Sequence, residues 1–227
     1  NMIIGSSYGG TPALTATSGP GLSLMIEALG LATAAEIPLV VVDVMRGGPS
    51  TGIPTKSEQT DLNIAVYGLH GDAPHLVLAP QSVGDCLFTT QWATYLAETL
   101  QAPAIVLSDQ FMGQSRAAIE RPADVAFIGA RTVASNISGT YRRYALAANG
   151  VSPMALPGTP GGQYTADGLT HTETGIPTSG AADHQAQLDK RRDKLDHFNF
   201  GDHWASVEGT GDLALITWGS LTGAARE

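Results

Sequence analysis

Residues 39–55 read LVVVDVMRGGPSTGIPT. A β-branched apolar run from Leu39 to Val44, broken only by Asp43, opens behind Pro38. A strand covered by helices on both faces needs no polar alternation, so this run predicts a buried strand of a parallel sheet. The strand delivers Arg46 into a loop of Gly47, Gly48, Pro49, Ser50, Thr51, Gly52 and Pro54. In open α/β sheets, ligands sit outside the carboxyl ends of the strands. An arginine placed there offers a planar fork of donors that suits a carboxylate or phosphate. Glycines beside it let the backbone approach a ligand. The same residues allow a plainer reading: an arginine paired with a structural acid, and glycines that serve only a turn.

The flanking chain repeats the strand–helix alternation. Upstream, residues 13–17 predict a short strand, Ser18-Gly19-Pro20-Gly21 a tight turn, and residues 22–35 a helix with Leu22, Met25, Ile26 and Leu29 at i, i+3, i+4 and i+7. Residues 1–10 read as the end of a helix closing at Gly9-Gly10. Downstream, residues 59–68 predict a short helix, 75–79 a strand stopped by Pro80, 82–100 a long helix, and 104–108 a second buried strand ending at Ser108-Asp109. Connections this short predict an α/β fold: a mainly parallel sheet with strands near 13–17, 39–45, 75–79 and 104–108, joined by right-handed crossovers.

Composition changes after about residue 116. Residues 117–180 hold Pro122, Pro153, Pro157, Pro160 and Pro177 among many glycines, serines and threonines, with no sustained period. Such a length without structure of its own is unusual inside a compact domain. It predicts an extended connector that wraps over the domain or over a partner, ordered mainly by contact with a partner chain or the next domain. Helix returns near 181–197, where acids interleave with Lys190, Arg191, Arg192 and Lys194. That mixture predicts a solvated or interface helix rather than a nucleic-acid patch. The expected organisation is residues 1–116 as one domain, 117–211 as connector with its helix, and 212–227 as the start of a second domain, with a strand and turn at 213–220. Both ends fall inside regular structure, which predicts a piece of a longer polypeptide.

Among 227 residues there are 12 basic and 21 acidic side chains, a net charge of −9. That argues against nucleic acid and anionic membrane as partners of the bulk surface. No apolar run approaches the roughly 20 residues of a membrane-spanning helix, and no leader pattern is visible, so a cytoplasmic protein fits. The single cysteine, Cys86, lies in a predicted helix, reads as a buried thiol, and leaves no disulfide framework or iron–sulfur cluster held by this chain alone.

The chemistry-bearing residues each carry two readings. Thr17-Ser18-Gly19-Pro20-Gly21 joins a strand to a helix, where free N–H groups and hydroxyls bind anions or polar ring edges, yet Ser18 is equally a good N-cap. The turn is neither a dinucleotide nor a Walker loop. His70, His75, His171, His184, His197 and His203 show no zinc spacing, so no metal site is expected. His70 reads as a surface residue that could line the same edge as Arg46. Ser50, Thr51, Thr55 and Ser57 lack a nucleophile elbow and an evident base, and read as hydrogen-bonding groups. Asp61 and Asp109, near element ends, read as turn acids or as functional groups.

Taken together, TATSGPGLSLMIEALG, IPLVVVDVMRGGPSTGIPTKSEQTDL and APAIVLSDQFMGQS resemble the α subunit of 2-oxoacid:ferredoxin oxidoreductases, most of all the 2-oxoglutarate branch. The resemblance is close over residues 1–116 and looser through YTADGLTHTETGIPTS and the charged helix. It implies the thiamine-diphosphate fold that holds the aminopyrimidine end of the cofactor, with diphosphate, Mg²⁺ and an iron–sulfur cluster on a separate β subunit. It implies oxidative, coenzyme-A-acylating decarboxylation of 2-oxoglutarate, or the reverse carboxylation, with electrons passing to ferredoxin, in a dimer of heterodimers. Arg46 would bind the substrate carboxylate, Thr55 would contact the substrate beside it, and Thr17, Ser18 and Gly19 would line the pyrimidine pocket. The family's activating glutamate is expected before Asn1; Glu27 and Glu36 are not its counterparts. Another 2-oxoacid, a non-redox thiamine enzyme, and a non-catalytic scaffold are the alternatives.

Overall fold

The structure, a computed structural model, describes residues 1–121 and 129–227. The elements run α1 (Met2–Tyr8), β1 (Leu14–Thr17), α2 (Gly19–Ala34), β2 (Leu39–Met45), α3 (Leu62–Tyr67), β3 (Leu76–Leu78), α4 (Asp85–Leu100), β4 (Pro103–Asp109), α5 (Gln110–Gln114), α6 (Ala181–Asp196) and α7 (Leu221–Arg226). The four strands form one parallel sheet in the order β1-β2-β4-β3. The four expected strands are all present, and β2 and β4 lie at the centre.

Alternation along β2 divides the core. Leu39, Val41 and Met45 join Ile105 and Leu107 of β4 under Leu22 and Leu29 of α2 and Ala65 of α3. Val40 joins Ala104 and Val106 under Trp92, Leu96 and Leu100 of α4. Successive strand residues face opposite ways, so both faces of these strands need apolar cover. That explains the unbroken runs. α4 begins at Asp85 rather than at residue 82, because Ser82 Oγ accepts the Asp85 N–H at 3.1 Å while Asp85 Oδ2 accepts from Gln81 N at 2.8 Å. α3 is likewise shorter than expected, opening after Asp61.

The connector wraps over its own domain. Arg131 forks onto Glu98 of α4 (Nη2 to Oε1, 2.8 Å; Nε to Oε2, 3.0 Å) and also reaches Ser7 of α1. Tyr144 stacks on His171 with ring centroids 4.4 Å apart. Arg143 is fully buried and donates to the carbonyls of Ala35, Glu36 and Ser152. A few long polar side chains thus order a segment that has no period. Val133, Leu146, Leu169 and Ile176 of this segment stay exposed. The part of the connector expectation that falls on residues 122–128 lies outside the described residues.

Two expectations are corrected. α6 is not solvated on its cationic side: Lys190 and Lys194 are buried, and both donate to Glu36, at 2.6 and 2.9 Å. Periodicity counts charges as outward-facing, whereas here one buried carboxylate draws two ammoniums inward. Residues 213–216 form no strand among the described residues; Leu213 and Ile216 are exposed, and a turn at 219–220 leads into α7. An apolar run becomes a strand only where a neighbouring strand pairs with it.

Candidate active site at the carboxyl ends of the strands

Thr17 ends β1 level with Asp43 of β2, and Met45 ends β2 level with Asp109 of β4. β2 therefore runs past β1 and carries Arg46 beyond a step in the sheet edge. The loop that follows closes on Gly47. Its N–H donates to the Lys56 carbonyl at 3.0 Å, its carbonyl accepts from Ile53 N at 2.9 Å, and Gly52 N donates to the Pro49 carbonyl at 3.1 Å. Gly52 has φ +48°, and a Cβ there would lie 1.7 Å from the Gly47 oxygen. Only glycine allows this closure.

Gly52→Ala should therefore displace the loop without unfolding the chain, since residues 48–58 are exposed. Strain of about 1–3 kcal/mol, at about tenfold per 1.36 kcal/mol, gives a fall of ~10-fold or more in kcat/KM of the complete enzyme. Its melting temperature should shift little. Steady-state kinetics beside a thermal scan check both.

Arg46 is half-buried. Its Nε is buried and has no hydrogen-bond partner, and no acid pairs with Arg46, among the described residues. Thr55 lies exposed on the same closed loop.

Thr17, Ser18 and Gly19 occupy the adjacent strand end, all half-buried. Ser18 sits at the N-cap of α2 with extended backbone, and its side chain makes no capping hydrogen bond. Its carbonyl accepts the Leu22 N–H at 2.9 Å. The glycines of this turn are crowded. A Cβ on Gly21 would lie 1.9 Å from Thr17 Oγ1, and one on Gly19 would lie 2.7 Å from Asp61 Oδ2. The bare backbone of Gly19 and Gly21 is thus held at a helix start beside the Thr17 and Ser18 hydroxyls, where a polar ring edge or anion is accepted.

Asp43 was absent from the sequence-derived site. It is fully buried on the α2–α3 face, and its carboxyl is pushed up to about 8, by burial first and then by the neighbouring Asp61 carboxyl. An acid inside an apolar strand was the available signal. Asp109 is a structural acid. Its Oδ1 caps α5 by accepting Met112 N at 3.0 Å, and its Oδ2 accepts Ser220 N at 2.9 Å. Burial would raise this carboxyl, but these donors and Gln59 hold it below the usual range. Gln59 also fastens residues 218–220 to this edge, donating to the Trp218 carbonyl at 2.9 Å. His70 is an exposed surface residue near Glu27. Cys86 is half-buried, and burial pushes its thiol up, so a reactive thiolate is disfavoured.

This edge fits the ring end of a thiamine cofactor and an anionic substrate. No group of three or more His, Cys, Asp or Glu side chains that could hold a metal ion exists among the described residues. No helix among them is long and apolar enough to cross a membrane. A cavity of about 460 Å³ lies at the far edge, between the end of α4, residues 146–151 and α6. It is lined in part by Lys190 and Lys194 and by none of Thr17, Ser18, Gly19, Arg46 and Thr55.

Residues 1–190 match the family described as pyruvate flavodoxin/ferredoxin oxidoreductase, thiamine diphosphate-binding. Among curated relatives, the 2-oxoglutarate oxidoreductase subunit KorA of Mycobacterium tuberculosis is 37% identical over 97% of this chain and 34% of its own length. The 2-oxoglutarate synthase subunit KorA of Archaeoglobus fulgidus is 37% identical over 97% of this chain and 57% of its own. A solved 2-oxoglutarate:ferredoxin oxidoreductase from Magnetococcus marinus, with 2-oxoglutarate, coenzyme A and succinyl-CoA bound, superposes with a TM-score of 0.89 at 46% identity, covering 99% of this chain and 40% of that one. The chain thus spans between about a third and three-fifths of the length of these proteins.

Proposed function

Because the chain belongs to the pyruvate flavodoxin/ferredoxin oxidoreductase thiamine-diphosphate-binding family, we propose that it is the pyrimidine-binding part of the α subunit of a cytoplasmic 2-oxoglutarate:ferredoxin oxidoreductase. One observation carries the substrate side: a half-buried arginine at the sheet edge whose buried Nε has no partner among the described residues. A guanidinium in that state is completed by a bidentate carboxylate.

In the assembled enzyme Arg46 holds the 2-oxoacid carboxylate, and Thr55 contacts the substrate from the same loop. Thr17, Ser18 and Gly19 receive the polar edge of the pyrimidine. The cofactor, when bound, supplies the electron sink that lets CO₂ leave a 2-oxoacid. The chain itself orients the substrate. Diphosphate, Mg²⁺ and the iron–sulfur cluster belong to a β subunit, and electrons leave to ferredoxin while coenzyme A takes the acyl group. The residues 1–116 form the pyrimidine domain, 117–211 the connector, and 212–227 lead into a further domain.

The test is the complete α/β enzyme assayed with a ferredoxin or viologen acceptor. Acceptor reduction should require coenzyme A and favour 2-oxoglutarate over pyruvate in kcat/KM. Reduction with pyruvate but not 2-oxoglutarate would move the substrate within the family. No 2-oxoacid-dependent reduction, with intact cofactor binding, would favour a non-redox thiamine enzyme.

A further inference from the structure

The Arg46 loop leaves β2 directly after Met45 and ends at Asp61, which returns to the same strand at Asp43. Asp43 is fully buried, and neither of its carboxyl oxygens meets a donor among the described residues. Asp61 Oδ2 is also buried without a donor. Asp43 lies level with Thr17 of β1, and the Asp61 carboxyl rests against Gly19, two residues on, so the two buried carboxyls are neighbours. Asp61 is fixed in place: its carbonyl accepts Ala65 N at 2.9 Å as α3 opens, and its carboxyl rests on the bare Cα of Gly19. Two ionised carboxylates repel at such a contact, whereas one proton between them makes a short, strong hydrogen bond.

We propose that Asp43 and Asp61 share one proton and form a clasp that closes the Arg46 loop onto β2, making them positioning residues for the substrate arginine. Among the described residues no cation acts on Asp43, and Asp61 Oδ1 accepts from the neutral Thr60 hydroxyl at 3.4 Å. β1 offers Thr17 at the same level and β4 offers Leu107, neither of them charged. Asp109 lies level with Met45 and is occupied by Met112 and Ser220. Arg46 stands three residues along the chain, and Asp61 is the charged group that acts on Asp43. Losing the proton leaves two negative charges buried face to face, and the loop must swing out to hydrate them.

Linkage sets the sign. Asp43 remains protonated in the fold at pH values where the unfolded carboxyl has ionised, so this group removes stability as pH rises from the ordinary carboxylate range to about 8. Asn at position 43 keeps a donor toward Asp61 at every pH.

The experiment compares the parent complete enzyme with Asp43→Asn, and with the mirror variant Asp61→Asn, between about pH 6 and about pH 9. Tryptic cleavage after the exposed Lys56 reports the loop, and each rate is divided by the variant's at the same pH, which cancels the protease's own profile. The parent's relative cleavage should rise several-fold across this range, and the variant's melting temperature should gain on the parent's as pH rises. Resting on the function proposed above, KM for 2-oxoglutarate should climb with pH in the parent, more than kcat falls, and stay flat in the variants. A parent whose relative cleavage and melting-temperature difference stay constant with pH would overturn the clasp. The proteolysis and melting readouts need no turnover, so they fail separately from the assignment of the reaction.

Discussion

Arg46→Ala should lower kcat/KM for the 2-oxoacid by at least ~10- to 100-fold in the complete enzyme. A hydrogen bond to a charged group contributes about 1.5–3 kcal/mol, and a carboxylate left unpaired in a dry site costs more. Each 1.36 kcal/mol is about tenfold. Arg46→Lys should recover only part of the loss, because an ammonium keeps the charge but loses the planar fork. Affinity for thiamine diphosphate should change little, since the proposed function places the diphosphate and Mg²⁺ on the β subunit. Steady-state kinetics with a viologen acceptor, beside a cofactor titration, separates the two. Near-normal kcat/KM in Arg46→Ala would remove the arginine from the substrate site. Lost cofactor affinity with an intact fold would assign it to the cofactor instead.

Glu36→Ala should be the most destabilising single change among the described residues' ion pairs. Glu36 is fully buried and receives Lys190 Nζ at 2.6 Å and Lys194 Nζ at 2.9 Å. Burial alone would raise its carboxyl, but Lys194, Lys190 and Arg143 together hold it well below the usual range. Burial pulls Lys194 down to about 8 despite Glu36. Removing one side of a buried ion pair costs about 3–5 kcal/mol, because the other charge remains buried. For a chain of this size that is roughly 6–20 °C in melting temperature. The depressed carboxyl contributes its stability above the unfolded carboxylate range and loses it as pH falls below that range. Acid should therefore narrow the gap between parent and Glu36→Ala. Replacing Glu36, Lys190 and Lys194 together by methionine should recover much of the loss. A melting point within a few degrees of the parent for Glu36→Ala would show that the latch between α6 and the end of α2 contributes little.

The sheet was legible because each buried strand carries its own signature. Leu39 to Met45 and Pro103 to Asp109 are apolar on both faces, and helices on both sides of a parallel sheet demand that. The position of the Arg46 loop was legible for the same reason, since the strand's direction fixes the sheet edge at which the loop lies. What stayed hidden depends on partners far along the chain. Lys190 and Lys194 look solvent-facing until Glu36, more than 150 positions earlier, is brought beneath them. Asp109 could be read as a turn acid or a functional one until the Ser220 N–H arrives to satisfy it. Asp43 is plain in the sequence as a flaw in an apolar run, but its meaning comes from Asp61, which only loop closure supplies. Local pattern reports what a residue prefers; it does not report which distant group will meet it.

The most direct test is a structure of the complete α/β enzyme, with thiamine diphosphate and 2-oxoglutarate trapped before decarboxylation. The substrate's 1-carboxylate should lie on the Arg46 guanidinium in a two-point contact at about 2.7–2.9 Å, with the pyrimidine edge against Thr17, Ser18 and Gly19. A carboxylate bound by other residues, with Arg46 turned onto an acid of either subunit, would contradict it.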